Sequence, residues 1–215
     1  DVTGSSVVKI LEIIKNFSNK SKFFQPLSSN IFGNSSKKKQ NEKDIFSPLS
    51  IYALGKVTAY YACQMYKDVY GLKIYNAIFY NHESEIRPEE YVTRKITKAV
   101  SRIYLGKQKL LILGDIKAKI DWGYAKDYVR AAYKIMQLSK PDVFIIASGK
   151  SYTVEYFVKK CFQYVGLNYK KHLRVNKKFL RPSKNTTLVG DTSKAKRKFN
   201  FKIETNLEKI ISIMM

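Results

Sequence analysis

Apolar positions along this chain fall into two rhythms. Residues 7–14 (VVKILEII), 50–70, 89–105, 122–138 and 153–165 place them three and four apart, the spacing of amphipathic helices. Between these lie residues 21–27 (SKFFQPL), 72–80 (LKIYNAIFY), 109–113 and 143–147. These runs are short, unbroken and rich in β-branched and aromatic side chains, as strands buried on both faces are. Punctuation agrees with that division. Pro48 opens the second helix, and Gly71, Gly106 and Gly166 each follow a helical stretch where a left-handed cap is needed. Asp121 stands where an N-cap belongs for a helix starting at Trp122, itself a packing anchor.

Residues 28–36 turn to Ser, Asn and Gly and read as a loop, and residues 37–44 read as a solvated Lys-rich loop. From Ser193 the chain is helical and then basic. Alternating helices and buried strands predict an α/β protein with a mainly parallel sheet. Past Asn81 the elements shorten and the loops lengthen. The division expected is residues 1–80 as one unit and 81–215 as mainly a smaller lobe, with some elements returning to the main sheet. No internal repeat is present.

Composition narrows the class. With 215 residues, 45% hydrophobic and 13% aromatic, the chain can bury a core, which excludes a disordered segment, and no apolar run is long enough to span a bilayer. Cys63 and Cys161 lack metal-ligand or redox spacing and sit in helical stretches, so buried free thiols are expected, with no metal site. A reducing cytoplasm suits them. A net charge of +23 raises the possibility of a polyanion partner, yet 33 of the 40 cations are Lys and only seven are Arg. The Lys is scattered apart from Lys37–Lys39 and residues 194–198. Specific nucleic-acid readers favour the bidentate Arg fork, so the Lys excess reads as a solvated face without a specific nucleic-acid partner.

The candidate chemistry centres on Tyr52 and Lys56. Four residues apart on a helix, a phenol and an ammonium share one face, and the cation favours a phenolate, turning a group that ordinarily titrates near ~10 into a base. The pattern alone selects nothing. Tyr91/Lys95 and Tyr156/Lys160 share the spacing, about as many pairs as a chance arrangement of 16 Tyr and 33 Lys yields.

Context selects the first pair. A buried strand followed by Ser28-Ser29 precedes it, and residues 72–80 lead into Asn81-His82-Glu83-Ser84. That order resembles the extended short-chain dehydrogenase/reductases. Within them, residues 81–84 (NHES), 92–97 (VTRKIT), 121–129 (DWGYAKDYV) and 190–195 (GDTSKA), the last preceded by Arg181-Pro182, resemble the GDP-mannose 4,6-dehydratase family over residues 7–199. The resemblance implies a partial Rossmann-type parallel sheet with helices on both faces plus a smaller C-terminal substrate-binding lobe. It implies NADP as cofactor, GDP-mannose as substrate, a cytoplasmic homo-oligomer, and a lyase making GDP-4-keto-6-deoxymannose. Tyr52 would take the C4 hydroxyl proton, and Lys56 would hold the nicotinamide ribose. Ser28 stands where the family has a Thr that hydrogen-bonds the substrate. His82 and Arg87 match cofactor contacts. Ser29, Asn81, Lys95 and Arg181 match positions near the nucleotide sugar. Outside that resemblance, His82 reads as a hydrogen-bonded core histidine, and Arg94 and Lys95 as solvated charges on a helix.

Three departures stand out against the family. Asn30 occupies the position of the Glu that removes the C5 proton, and an amide does not accept that proton at neutral pH. Ile120 replaces an Arg before Asp-Trp-Gly, and Lys184 replaces an acidic residue after Arg181-Pro182. No glycine fingerprint for a dinucleotide pyrophosphate follows a first strand. The chain, which starts at Asp1 rather than Met, is therefore expected to lack roughly a hundred preceding residues of such a fold. Poor NADP binding, marginal stability and an exposed apolar sheet edge would follow. The alternative reading is an inactive relative that binds nucleotide sugar or a homologous subunit without turnover.

Overall fold

The computed structural model of the chain describes residues 2–179 and 187–215. Helix α1 (Ser5–Phe17) leads into β1 (Lys22–Ser28) and a 3-10 turn (Ser29–Phe32), followed after an irregular segment by α2 (Ile51–Tyr70) and β2 (Lys73–Phe79). Next come β3 (Asn81–Glu83), α3 (Val92–Tyr104), β4 (Leu111–Leu113), β5 (Lys119–Ile120), β6 (Trp122–Tyr124), α4 (Ala125–Gln137) and β7 (Val143–Ile146). The chain ends with β8 (Tyr152–Thr153), α5 (Val154–Tyr164), α6 (Tyr169–His172), β9 (Leu173–Val175), α7 (Ser193–Phe199) and α8 (Leu207–Met214).

The main sheet has the order β1-β2-β7, all parallel, with Ser28 opposite Phe79 and Phe79 opposite Ile146. Why the strands lack polar alternation is visible in β2. Ile74 and Ile78 face one buried cluster with Leu11, Ile31, Ala59 and Cys63. Tyr75 and Ala77 point the other way, toward Tyr128, Ala131, Phe144 and Ala195. Helices α1 and α2 cover the first face, and α4 and α7 the second. Each fully buried Ile or Phe contributes about 1.5–3 kcal/mol, so this double covering is what fixes the strand ends that carry the site. A separate cluster joins α3, α5 and α8 through Ile96, Val100, Phe157, Phe162 and Ile211, with Trp122 buried among them. Three short pairs, β3–β6 and β4–β9 parallel and β5–β8 antiparallel, surround it. No described helix is long and apolar enough to cross a membrane.

Helix α2 ends as its sequence dictates. The Ser50 hydroxyl accepts from the Ala53 amide at 3.1 Å, and Gly71 closes the helix at φ 66°. That cap is worth about 1 kcal/mol. Both cysteines are buried and free, and burial pushes the Cys63 thiol up to about 12 and the Cys161 thiol higher still.

Several expectations need correction. Residues 122–124 are not the first turn of a helix but strand β6, pairing with β3 so that His82 faces Gly123. Helix α4 starts only at Ala125. Asp121 caps nothing. Its buried carboxylate accepts from the amides of Ser148 (2.8 Å), Gly149 (3.0 Å) and Gly190 (3.2 Å) and from the Ser148 hydroxyl. Burial raises its pKa, and these four donors hold it down. The last segment runs basic first and apolar second: residues 194–198 lie inside α7, and α8 buries Leu207, Ile210, Ile211 and Met214. The Lys-rich loop is only partly solvated, because Gln40 within it is fully buried. Its amide group accepts from the Tyr80 hydroxyl and the Val189 amide and donates to the Lys37 carbonyl. Arg94 is not a solvated charge either; half-buried, it donates to the Met214 carbonyl at the end of α8.

Candidate functional site

Parallel strands place their carboxyl ends on one side, and the crevice outside those ends is where open α/β sheets receive ligands. Here β1 delivers Ser28, and the turn after it delivers Ser29 and Asn30. The end of β2 delivers Phe79 and the residues that follow, Tyr80, Asn81 and His82. Helix α2 crosses this edge with its first turns, bringing Tyr52 and Lys56. The result is a cleft of 590 Å³ lined by Ser28, Ser29, Asn30, Tyr52, Lys56, Asn81, His82 and Arg87, together with Pro26, Leu27, Phe79, Tyr80 and Tyr91. None of these is Asp or Glu.

Each polar group has a definite setting. The Lys56 ammonium donates to the Pro26 carbonyl at 2.9 Å and lies 5.9 Å from the centre of the Tyr52 ring. Burial lowers its pKa. Tyr52 is 47% exposed, so its phenol meets the open cleft. The Ser28 hydroxyl oxygen accepts from the Asn30 amide at 3.3 Å, capping the turn and leaving its own proton to donate. Ser29 is buried, although it lines the cleft.

His82 sits beside the rings of Tyr128 and Phe79, 5.0 and 5.7 Å between centres. Burial is the main force lowering its pKa, the Arg87 charge adds to it, and the Tyr80 carbonyl opposes both. A neutral ring whose Nδ1–H donates to that carbonyl at 2.9 Å keeps Nε2 as a free acceptor. The ring is thus hydrogen-bonded at a half-buried position and forms a wall of the cleft.

A second cleft of 670 Å³ shares Asn30, Asn81, Arg87 and Tyr91 with the first, and adds Lys95, Ile120, Trp122 and Phe179 among others. Lys95 is exposed there, with its ammonium 5.5 Å from the Phe179 ring centre. Ile120 gives this cleft an apolar wall. Arg181 and Lys184 lie outside the described residues. Among the described residues no cluster of His, Cys, Asp and Glu could hold a metal ion.

Two contributors escaped the sequence reading. The Glu83 carboxylate is buried and stands 3.3 Å from Arg87 Nε, and the Arg87 guanidinium lies 3.6 Å from the Tyr91 ring centre. The signal was present as the spacing Glu83, Arg87, Tyr91, four apart each time. Four-residue spacing is ordinarily read for helices, and this stretch is a turn.

Residues 1–214 match the family profile of GDP-mannose 4,6 dehydratase. GDP-mannose 4,6 dehydratase 1 of Arabidopsis thaliana is 41% identical, the alignment covering all of this chain and 60% of that protein. The Homo sapiens enzyme is 34% identical, covering all of this chain and 63% of that protein. The chain thus spans about 60% of the length of the curated relatives it matches. Among solved structures, RMD from Pseudomonas aeruginosa complexed with NADPH superposes with a TM-score of 0.90 at 16% identity, over 99% of this chain and 71% of that one. The dTDP-glucose 4,6-dehydratase of Bacillus anthracis in complex with NAD superposes with a TM-score of 0.87 at 18% identity, over 99% and 66%.

Proposed function

Because the chain belongs to the GDP-mannose 4,6-dehydratase family, we propose that its clefts are the sugar- and nicotinamide-side part of a nucleotide-sugar 4,6-dehydratase, acting on GDP-mannose in the cytoplasm. The observation that carries this is convergence. Ser28, Asn30, Tyr52, Lys56, Asn81, His82 and Arg87 come from three separate stretches of chain and line one cleft. A cleft of this size, with two cationic donors in Lys56 and Arg87, the latter at its border with the second cleft, and an acceptor in His82 Nε2, fits the nicotinamide end of NADP. When bound, NADP supplies the hydride acceptor and donor that an internal redox reaction needs.

The chain's own groups have separable tasks. Tyr52, as a phenolate, takes the proton of the C4 hydroxyl. The Lys56 cation stabilises that phenolate and binds ribose hydroxyls. The Ser28 proton is free to donate to the substrate oxygen and orient it. Asn81 and Lys95 face the second cleft, where the nucleotide diphosphate is accommodated. Removal of the C5 proton is the weak step, because Asn30 is an amide and the first cleft offers no carboxylate.

A homo-oligomer is the assembly we propose. Ile10, Ile13 and Phe17 on α1 and Leu54, Tyr61, Met65 and Val69 on α2 are exposed at helical spacing, and a second copy would cover them. The reading in which ligand binds without turnover draws on Asn30 and on Ile120, which lines the second cleft; Lys184, its third support, lies outside the described residues.

The test is product analysis by mass spectrometry after incubation with NADP and GDP-mannose, comparing the natural chain with Asn30→Glu. A dehydrated sugar nucleotide formed faster by Asn30→Glu supports a dehydratase slowed at elimination. Binding without product in both identifies a binding protein. Neither binding nor product removes the proposal.

A further inference from the structure

Glu83 plays no part in the chemistry above, yet it is a carboxylate with only 3% of its surface exposed, at the end of the strand that carries His82. Such groups are costly to bury unless paired and hydrogen-bonded. Its Oε2 accepts from the Thr93 hydroxyl at 2.7 Å and stands 3.3 Å from Arg87 Nε. On its other side the guanidinium lies against the Tyr91 ring. Arg87 is therefore held between a carboxylate and an aromatic face, and it lines both clefts.

Among the described residues the clamp leaves the fork's donors without hydrogen-bond acceptors. The contact with Glu83 is ionic rather than an aligned hydrogen bond, and Nε is a buried donor without a hydrogen-bond acceptor. Among the described residues no other group accepts from the guanidinium. An Arg whose position is fixed but whose N–H groups lack acceptors matches a bidentate anion such as a phosphate.

We infer that Glu83 is a positioning residue, holding Arg87 at the divide between the clefts so that its fork meets the diphosphate of a bound nucleotide. This rests on the nucleotide-sugar reading and deepens it. Glu83 itself lines only the second cleft, whereas Arg87 lines both. The effect of Glu83 passes through Arg87, and Tyr91 completes the hold.

The test is calorimetric titration of the chain with inorganic pyrophosphate, alone and in competition with GDP-mannose, for Glu83→Gln, Tyr91→Leu, Arg87→Met and the Glu83→Gln/Arg87→Met double variant. Gln at position 83 can still accept from Thr93, and Tyr91 is exposed, so at least one single variant keeps the fold, as circular dichroism melting will check. Each clamp variant is expected to weaken pyrophosphate binding roughly tenfold. Glu83→Gln should have no further effect once Arg87 is Met. Undiminished affinity in both clamp variants, additive losses in the double variant, or no pyrophosphate binding by the natural chain would each overturn the inference. Pyrophosphate binding that depends on Arg87 but is not displaced by GDP-mannose would instead defeat the nucleotide-sugar reading and leave the clamp standing.

Discussion

Lys56 reaches back to β1, its ammonium donating to the Pro26 carbonyl at 2.9 Å, instead of closing directly on Tyr52. The lysine is thus fixed by the edge of the sheet, and its charge is offered to the cleft from a set position. Lys56→Met removes both the charge and this tie. Turnover of the proposed dehydratase should fall by at least about 10²-fold. Stability should fall by only about 1 kcal/mol, since a charged hydrogen bond in a half-exposed setting is screened. Steady-state kinetics beside a urea melt checks both.

Tyr52→Phe makes the complementary case. The ring is 47% exposed, and among the described residues no hydrogen bond ties its hydroxyl to the fold. The melting curve should not move, while C4 oxidation should drop by about 10²–10⁴-fold. A variant with full turnover would assign the proton transfer elsewhere.

Glu42 gives the pH dependence. Its carboxylate accepts from the Ile145 amide at 3.0 Å, and burial, the largest influence, raises its pKa above 4.5. A carboxyl that holds its proton longer when folded contributes fully below 4.5, and that contribution is lost as the pH climbs through the raised folded value. Glu42→Gln keeps the acceptor and removes the titration. The variant should lose less stability than the natural chain between pH 4.5 and neutrality, as thermal melts across that range will measure.

Gly123 lies opposite His82, and a Cβ there would run into the Tyr128 ring. That ring is fully buried and packs on His82. Gly123→Ala should therefore cost about 1–3 kcal/mol, typical of overpacking. It should also shift the His82 titration followed by NMR.

Cys63, with its thiol pushed up to about 12 by burial, should react with thiol reagents in the native chain only as fast as the chain opens. Labelling that accelerates in step with denaturant is the expected trace.

The sequence carried the main sheet and its helices well, because a strand buried on both faces and a helix buried on one leave different rhythms. It carried Tyr52 and Lys56 through order rather than spacing. Strand β6 was misread because Trp122-Gly-Tyr124 runs without a break into the apolar face of α4. Three residues are too few to show a period of two. Asp121 was misread because its donors, at residues 148–149 and 190, are remote in sequence and meet it only in the fold. Glu83 was missed for a related reason: nothing in a sequence marks a carboxylate as buried.

Asn30, Asn81, Arg87 and Tyr91 form a partition with a cleft on either side. A shared wall of this kind makes the two occupants thermodynamically coupled. With the Arg87 fork held in place, any ligand that occupies its N–H groups from one side leaves fewer for the other, and the penalty is reciprocal whichever binds first. Order of addition can change the rates of filling, but the product of the two affinities along either route must be the same.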